Sequence, residues 1–413
     1  MNLFDKTVQS FLALLKRLVR LLWYSLMILV AWFVVAGVFL GVPGIYFLQM
    51  KKRSQKPWNL KIDEKYQPSV AILVPVHNEE KTIRLKLANL SRVEYPSEKM
   101  EIVVVNDAST DNTINELNHF EAEKSSLKLK VFDSKEHLGK THCLNRALSS
   151  VKADVIIISD ADCFWPSDIL LKALPYLSDP SIGAITAREL LLNPLGSWVT
   201  LGEQFYDDTV QSIRIGESKE HSTIFFQGGF AAYKREKLCE FNHAADDSGT
   251  ALDLVQKRSR AILIPEIGFY TPFPTIWRNK VSLKIRRASQ LQHLWAKCLN
   301  LLVHGKLILP KKIAGPEIFL HIFNPLLLVA LGVLSVFVIF QYPLFLLAFL
   351  LVLISALLIK KARTTIIEVL QNNLILLAAL GSLNTNRGFK LWRTGQESRF
   401  LITEDLLKEK QLV

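Results

Sequence analysis

Two long stretches without Lys, Arg, Asp or Glu constrain this chain more than any other feature. They cover residues 22–50 and 318–359. As a helix rising 1.5 Å per residue, the first would be roughly 40 Å long, enough to cross a bilayer core once. The second is interrupted at Gln341-Tyr342-Pro343, which predicts a helical hairpin. The sequence therefore predicts a membrane protein rather than a soluble protein with buried core helices.

The net charge of +12 is concentrated beside these apolar stretches. Residues 1–67 hold ten Lys/Arg against three acids, and residues 267–315 hold nine Lys/Arg and no acid. Basic residues next to membrane segments face lipid headgroups and mark the cytoplasmic side. A nucleic-acid-binding protein would carry this charge on its globular part. We therefore predict membrane lipids as partners, no nucleic acid, and a globular domain that faces the cytoplasm.

Between residues 68 and 267, short apolar runs alternate with segments of helical periodicity. Continuously apolar, β-branched strands separated by helices predict an α/β domain on a mostly parallel sheet. The predicted strands are 70–76, 101–106, 127–132, 154–159, 182–188 and 261–265, and the predicted helices are 79–90, 112–124, 141–151, 167–176 and 248–258.

The remaining segments follow from charge and hydropathy. Residues 1–21 have one apolar and one basic face, which is typical of an amphipathic helix at a membrane surface. The predicted segments are an interfacial helix (1–21), a transmembrane segment (22–50), a basic linker (51–67), the α/β domain (68–267), a basic interfacial or acceptor region (268–315), a transmembrane hairpin (316–360), and an interfacial or re-entrant helix with a tail (361–413).

Polar clusters follow four of the predicted strands, where ligands bind in open parallel sheets. The most informative is Ser159-Asp160-Ala161-Asp162, because residues i and i+2 of an extended chain point the same way. Two converging carboxylates repel unless a cation lies between them, and oxygen ligands suit Mg²⁺ or Mn²⁺. Alone, Asp-x-Asp is common and also fits the solvated end of a strand. The other clusters, at successive strand ends, favour a cation site.

Several ordered motifs resemble the family-2 glycosyltransferases, which are inverting enzymes with the GT-A fold. They are VAILVPVHNEEKTI, EIVVVNDASTDNT, HLGKTHCLNRAL, DVIIISDADCFWP, FFQGGFAAYKRE and ADDSGTALDLVQKRSRAILIPE, which together cover about residues 68–267. The resemblance implies a GT-A nucleotide-sugar-binding domain with N- and C-terminal transmembrane or interfacial helices. It also implies a nucleotide-diphosphate sugar as the donor and Mg²⁺ or Mn²⁺ as the cofactor.

The resemblance also assigns roles to residues. It implies that Asp162 binds the metal, that Asp160 faces both metal and nucleotide, and that Asp247, the second member of the pair Asp246-Asp247, is the catalytic base. A helix N-cap is the alternative for Asp247. The other nucleotide-sugar-binding residues implied are Pro75, His77, Asn78, Glu79, the nucleobase-contacting Asp107, and Lys140.

The acceptor side matches the family less well. Gln227-Gly228-Gly229 fits either close backbone approach to an acceptor or a tight turn. Processive members carry Gln-x-x-Arg-Trp on an interfacial helix, whereas this chain has Arg286, Arg287, Gln290 and Trp295 with altered spacing. A C-terminal segment with Trp392, Thr394 and Arg399 resembles the gate of some membrane polysaccharide synthases, although a basic tail on anionic lipid is the alternative.

We therefore predict a membrane-bound inverting glycosyltransferase that moves a sugar from a cytosolic nucleotide sugar to a lipid-linked or membrane-associated acceptor. A processive polysaccharide synthase is the first alternative, and the altered Gln-x-x-Arg-Trp pattern disfavours it. A catalytically silent membrane scaffold is the second alternative, and Asp107, Asp160, Asp162 and Asp247 disfavour it because all four acids are present. Homo-oligomerisation is left open.

Overall fold

The computed structural model describes residues 3–123, 127–242, 246–381 and 396–413. Its centre is a sheet with strand order β3-β2-β1-β4-β6-β5-β7, in which β6 is antiparallel to its neighbours and the other pairs are parallel. The strands are β1 (Val70–Val76), β2 (Met100–Asn106), β3 (Leu129–Asp133), β4 (Val155–Ile158), β5 (Ile182–Leu191), β6 (Ala231–Lys234) and β7 (Arg260–Thr271).

Helices cover both faces of this sheet and continue into the apolar segments. A π-helical turn (Phe319–Phe323) joins the ninth and tenth helices. The helices of the described residues are α1 (Leu3–Ser54), α2 (Ile83–Leu90), α3 (Thr113–Glu123), α4 (Lys140–Ser150), α5 (Ile169–Ala173), α6 (Trp198–Glu220), α7 (Ser248–Gln256), α8 (Trp277–Val303), α9 (Lys311–Ile318), α10 (Asn324–Gln341), α11 (Pro343–Leu358), α12 (Lys360–Leu380), α13 (Gln396–Phe400) and α14 (Glu404–Glu409).

The central strands are apolar on both faces because each face supports its own core. Along β1, Ile72 and Val74 belong to one core, whereas Ala71 and Leu73 belong to the other. Strands β2 and β4 alternate in the same way. Burial on both faces explains why these strands read as continuous apolar runs. The predicted α/β fold on a mostly parallel sheet is confirmed.

Two elements of the domain are absent from the sequence prediction. Helix α6 was not predicted, although Ser197 caps it and forms a capping box with Thr200. Strand β6 was not predicted either, and β7 extends to Thr271, well beyond the predicted end at residue 265. Strand β6 is only four residues long and follows a turn at Gln227, and its short, alanine-containing apolar run is too weak a signal to predict a strand.

Among the described residues, two helical segments are long and apolar enough to cross a membrane: Phe11–Ser54 and Lys311–Gln341. Helices α11 and α12 qualify only as a pair, bent by 111°. Helix α11 has 16 residues, or about 24 Å, which is short for a span on its own. The predicted interfacial helix and first transmembrane segment form one continuous helix, α1. The proposed segment boundaries remain a prediction.

Helix α1 is joined to the α/β domain by direct contacts with α6. A Cβ added at Gly216 would overlap the backbone of Met50, so the two helices cross at closest approach there. Close by, the Tyr46 hydroxyl donates a 2.6 Å hydrogen bond to Glu217, and Lys219 donates to the Ser54 carbonyl at 2.7 Å. The apolar helix and the α/β domain are therefore held together by close packing and by hydrogen bonds.

A second set of buried charges joins α8 and α12 to α6. The ammonium of Lys280 is completely buried, 3.2 Å from Glu203 and 3.1 Å from Glu368. Lys284 lies 2.7 Å from the same Glu203. Two lysines and two glutamates thus compensate one another at this contact. Glu368, one of the polar residues that interrupt the apolar pattern of α12, is explained by this buried contact.

Candidate active site

The candidate site lies at the carboxyl ends of β1 and β4, where the chain reverses its direction of winding across the sheet. Such a switch point opens a crevice in which α/β proteins bind ligands. The β4 strand ends at Ile158, and Asp160 and Asp162 follow directly. The backbone N–H of Asp160 donates to the Gly228 carbonyl at 2.8 Å, so the end of β4 meets the Gln227-Gly228-Gly229 segment here.

Lys140 is the centre of the charged cluster. Its ammonium lies 2.8 Å from Asp160 and 2.7 Å from Asp246, so it bridges the end of β4 and the residues before α7. Gly139 precedes it with φ +93°, a backbone conformation that favours glycine. A Cβ added at Gly228 would lie 2.5 Å from both Asp160 Oδ2 and Lys140 Nζ, so a side chain at this position would displace the ion pair.

The donor set at the end of β4 fits a divalent cation. Ligand atoms of Asp160, Asp162 and Cys163 all lie within 4.8 Å of one another. Asp160 Oδ1 is buried and, despite its ion pair with Lys140, accepts no well-directed hydrogen bond. Burial raises the pKa of the Cys163 thiol, which disfavours a thiolate ligand and favours the two carboxylates. Such hard oxygen ligands suit Mg²⁺ or Mn²⁺.

Asp247 fits both interpretations of its sequence position, as a helix N-cap and as a catalytic base. It is the N-cap of α7 and accepts a 2.6 Å hydrogen bond from the Ser248 N–H. Burial, followed by repulsion from Asp246, raises the pKa of Asp247 to about 7, while Lys140 acts in the opposite direction. A carboxylate with this raised pKa is suited to accept a proton near neutral pH.

Asp107 differs from its predicted role. Its side chain is completely buried, and its two oxygens accept 2.8 Å hydrogen bonds from the N–H groups of Leu138 and Gly139. His137 Nδ1 lies 2.8 Å from the same carboxylate. In this structure Asp107 therefore positions the loop before Lys140, and no carboxylate oxygen is exposed to contact a nucleobase.

His77 and His137 lie together beside Asp107, and both are half-buried. The rings of His77 and His137 stack with centroids 3.9 Å apart, and His77 Nδ1 lies 2.8 Å from the Asp107 carbonyl. Asn78 adopts φ +56°, and its side-chain oxygen accepts the Thr110 N–H at 2.8 Å. The sequence motif indicated His77 and Asn78 but not His137, which only the folded loop identifies.

Glu79 is also withdrawn from the cleft. It is buried, accepts from the Thr82 hydroxyl at 2.6 Å, and forms an ion pair with Arg399 from the C-terminal segment. Burial raises the pKa of Glu79 to about 7, and Arg399 opposes this effect. Of the predicted gate, Arg399 is thus a partner of Glu79, whereas Trp392 and Thr394 lie outside the described residues. Pro75 is likewise buried, within β1.

The predicted acceptor residues on α8 separate into two groups. Arg286 lies within electrostatic range of Asp160, Asp162 and Asp246, and Arg287 lies 3.6 Å from Glu189. One turn after Arg286, Gln290 is partly exposed.

Trp295 belongs to the interior instead. It has 0% exposure and packs in a core against the rings of Phe225 and His321, at 5.8 and 5.9 Å between centroids. The prediction that Trp295 contacts an acceptor is therefore corrected, because its ring has no surface open to a ligand.

These features define an α/β protein with a charged ligand cleft at the carboxyl edge of its sheet, and comparison with known proteins identifies its family. The family described as "Glycosyl transferase family 2" matches residues 71–241. The mannosyltransferase PcManGT from Pyrobaculum calidifontis, solved in complex with GDP-Man and Mn2+, is 30% identical. The match covers 86% of this chain and 99% of that protein, with a TM-score of 0.75. The chain therefore belongs to glycosyltransferase family 2 and has the GT-A fold.

Curated relatives match over shorter regions. The beta-monoglucosyldiacylglycerol synthase of Synechocystis sp. is 30% identical over 136 residues, which are 33% of this chain and 28% of that protein. The poly-beta-1,6-N-acetyl-D-glucosamine synthase of Staphylococcus epidermidis is 23% identical over 223 residues, or 53% and 50% of the two chains. The chain thus spans less than a third of the first of these relatives and about half of the second.

Proposed function

We propose that this protein is a membrane-bound, inverting glycosyltransferase that moves a sugar from a nucleotide-diphosphate sugar to a lipid-linked or membrane-associated acceptor. The observation that carries the proposal is the convergence of Asp160, Asp162, Lys140 and the Asp246-Asp247 pair in one cleft. A related mannosyltransferase binds GDP-Man and Mn2+, and 99% of it aligns with this chain. The catalytic domain would face the cytoplasm, where nucleotide sugars are available.

In this mechanism the protein's own groups hold the donor and accept one proton. Asp247 takes the proton from the attacking hydroxyl of the acceptor, while Lys140 and Arg286 offer positive charge to the leaving diphosphate. Asp160 and Asp162 would hold a Mg²⁺ or Mn²⁺ ion, which stabilises negative charge on a leaving diphosphate as a Lewis acid. Attack from the side opposite the leaving group inverts the anomeric carbon in a single displacement.

A lipid acceptor is favoured over a growing polysaccharide. Only two described helical segments can cross a membrane by length and composition, or three if the bent pair α11 and α12 is one span. Few spans leave little material for a polymer channel within one chain. Trp295, the tryptophan of α8 that the altered Gln-x-x-Arg-Trp pattern offered for an acceptor, is also buried.

The proposal is tested with the full-length protein in lipid nanodiscs. We expect one member of a panel of nucleotide sugars, including GDP-mannose, UDP-glucose and UDP-N-acetylglucosamine, to release nucleoside diphosphate when membrane lipid extract is added as acceptor. Mass spectrometry of the lipid fraction should show a single added sugar. A ladder of products would support the processive alternative, and no release with any donor would contradict the proposal.

The charges around Asp247 predict an effect of pH. Asp247 acts as a base only when deprotonated, so kcat/KM should rise as the pH increases through its raised pKa of about 7. Burial is the first cause of this raised pKa and repulsion from Asp246 the second, so Asp246→Asn should lower the pKa. The rising limb of the pH profile then moves to lower pH. A limb that stays in place or moves upward would contradict the assignment.

A further inference from the structure

Lys86 is a buried charge that the proposed chemistry does not use. It lies on α2 with 0% exposure, and no carboxylate forms an ion pair with it within the described parts of the chain. Removing an ammonium group from water without a counter-ion is costly. Burial accordingly lowers the pKa of Lys86 to about 7. A lysine in this position requires a compensating environment.

That environment comes entirely from the segment that carries the two aspartates. Lys86 Nζ donates to Ser159 Oγ and to the Cys163 carbonyl, each at 2.6 Å. It also lies 4.7 Å from the centroid of the Trp165 ring, within the range of a cation–π contact. The hydroxyl, the carbonyl and the aromatic face together form a cage for the ammonium.

The two hydrogen bonds flank the carboxylate pair. Ser159 immediately precedes Asp160, and Cys163 immediately follows Asp162. Within this stretch, the Cys163 N–H donates to the Asp160 carbonyl at 3.2 Å, which closes a turn. Lys86 therefore holds both ends of the turn by hydrogen bonds, while it forms no hydrogen bond or ion pair with either carboxylate.

We infer that Lys86 is a positioning residue that sets the spacing of the Asp160 and Asp162 carboxylates and thereby the selectivity of the site between Mg²⁺ and Mn²⁺. The inference rests on the proposed function, because it requires these carboxylates to hold a divalent cation. Mg²⁺ is small and demands nearly ideal octahedral geometry, so a loosened turn should penalise it most. Mn²⁺ is larger and tolerates distorted oxygen ligands better.

The ratio of two dissociation constants separates geometry from charge. Replacing Lys86 by a neutral residue also removes a positive charge near the carboxylates, which strengthens binding of any divalent cation. This Coulombic effect is nearly the same for Mg²⁺ and Mn²⁺ and cancels in the ratio. A change in the carboxylate spacing affects the two ions differently, so its effect remains in the ratio.

The test compares the full-length protein with Lys86→Met, which keeps the length of the side chain and removes its hydrogen bonds. Mn²⁺ binding is measured from the loss of the free-ion EPR signal, and Mg²⁺ binding from competition with Mn²⁺. Loss of support behind a metal ligand typically costs about 10–100-fold in metal affinity. Because Mg²⁺ should bear most of this loss, we expect the ratio of the Mg²⁺ Kd to the Mn²⁺ Kd to rise about tenfold. Equal shifts for both ions, or no shift, would overturn the inference.

Asn89 provides the matched control on the same helix. Its amide donates to the Trp165 carbonyl and accepts from the Trp165 N–H, both at 2.8 Å, and also donates to the Leu412 carbonyl at 2.7 Å. These bonds lie beyond the Ser159–Cys163 turn. Asn89→Ala should therefore lower the Tm but leave the ratio of Kd values unchanged. An equal change of the ratio in Asn89→Ala would show that any loss of packing alters selectivity, which overturns the inference.

Ser159→Ala decides the matter if Lys86→Met does not fold. This variant removes one of the two acceptors and leaves the ammonium in place, so the ratio should rise by a smaller factor. An unchanged ratio in Ser159→Ala would then count against Lys86. A native protein that binds neither ion would instead contradict the cation site itself, and with it the proposed function.

Discussion

Replacing Asp162 by alanine is expected to reduce sugar transfer to background and to abolish binding of Mn²⁺. Asp160 and Asp162 supply the carboxylates of the predicted cation site, and without Asp162 the one that remains is already paired with Lys140 at 2.8 Å. Diphosphate release measures the first effect, and EPR titration of Mn²⁺ measures the second. Excess chelator should likewise reduce sugar transfer by the native protein to background.

Asp168→Ala is the matched control for this variant. Asp168 lies six residues later, on the surface at the start of α5, where it pairs with Lys172. The same substitution there should leave metal binding and turnover intact. Full activity of Asp162→Ala, or of the native protein in chelator, would exclude a metal-dependent mechanism at this site.

Asp247→Asn is expected to lower sugar transfer by about 100-fold or more, because the side chain keeps its shape and its capping oxygen but can no longer accept a proton. Binding of the nucleotide and of Mn²⁺ should survive, since neither relies on the charge of Asp247. Calorimetric titration with GDP or UDP tests the binding, and single-turnover kinetics test the chemical step.

Asp253→Asn serves as the control on the same helix. Asp253 pairs with Lys297 on the surface, at 2.9 Å, and lies away from the charged cluster. Its substitution should leave transfer unchanged. If Asp246→Asn were severely impaired while Asp247→Asn remained active, the base would be Asp246, and the roles of the pair would be exchanged.

The sequence was most informative where burial alone decides structure. Strand β1 begins and ends at the predicted residues, and β4 lies within the predicted range, because a strand packed on both faces must be apolar throughout. Helix α6 escaped prediction for the opposite reason. Its buried face is polar, with Glu203, Arg214 and Glu217 all buried, so its sequence lacks a helical apolar pattern.

In the candidate site, too, some features could be predicted from the sequence and others could not. The meeting of Asp160 with Lys140 followed from strand ends that share one edge of a sheet. The partners of Glu79 and Asp107 could not be deduced in this way. Arg399 reaches Glu79 from 320 residues away, and Asp107 is saturated by the backbone of a loop that only tertiary structure brings near. Sequence position thus located these acids but did not reveal what they contact.

If α1 spans the membrane as proposed, its crossing with α6 sets the distance between the cleft and the bilayer. Met50 rests against Gly216, and the hydrogen bond from Tyr46 to Glu217 locks the crossing from within. A flexible linker would let the distance between the cleft and the bilayer vary, whereas this rigid contact would keep that distance constant. Under the proposed function, an acceptor held in the lipid would have to present its hydroxyl at one distance from the headgroups, so the length of its polar head would itself decide whether it is accepted.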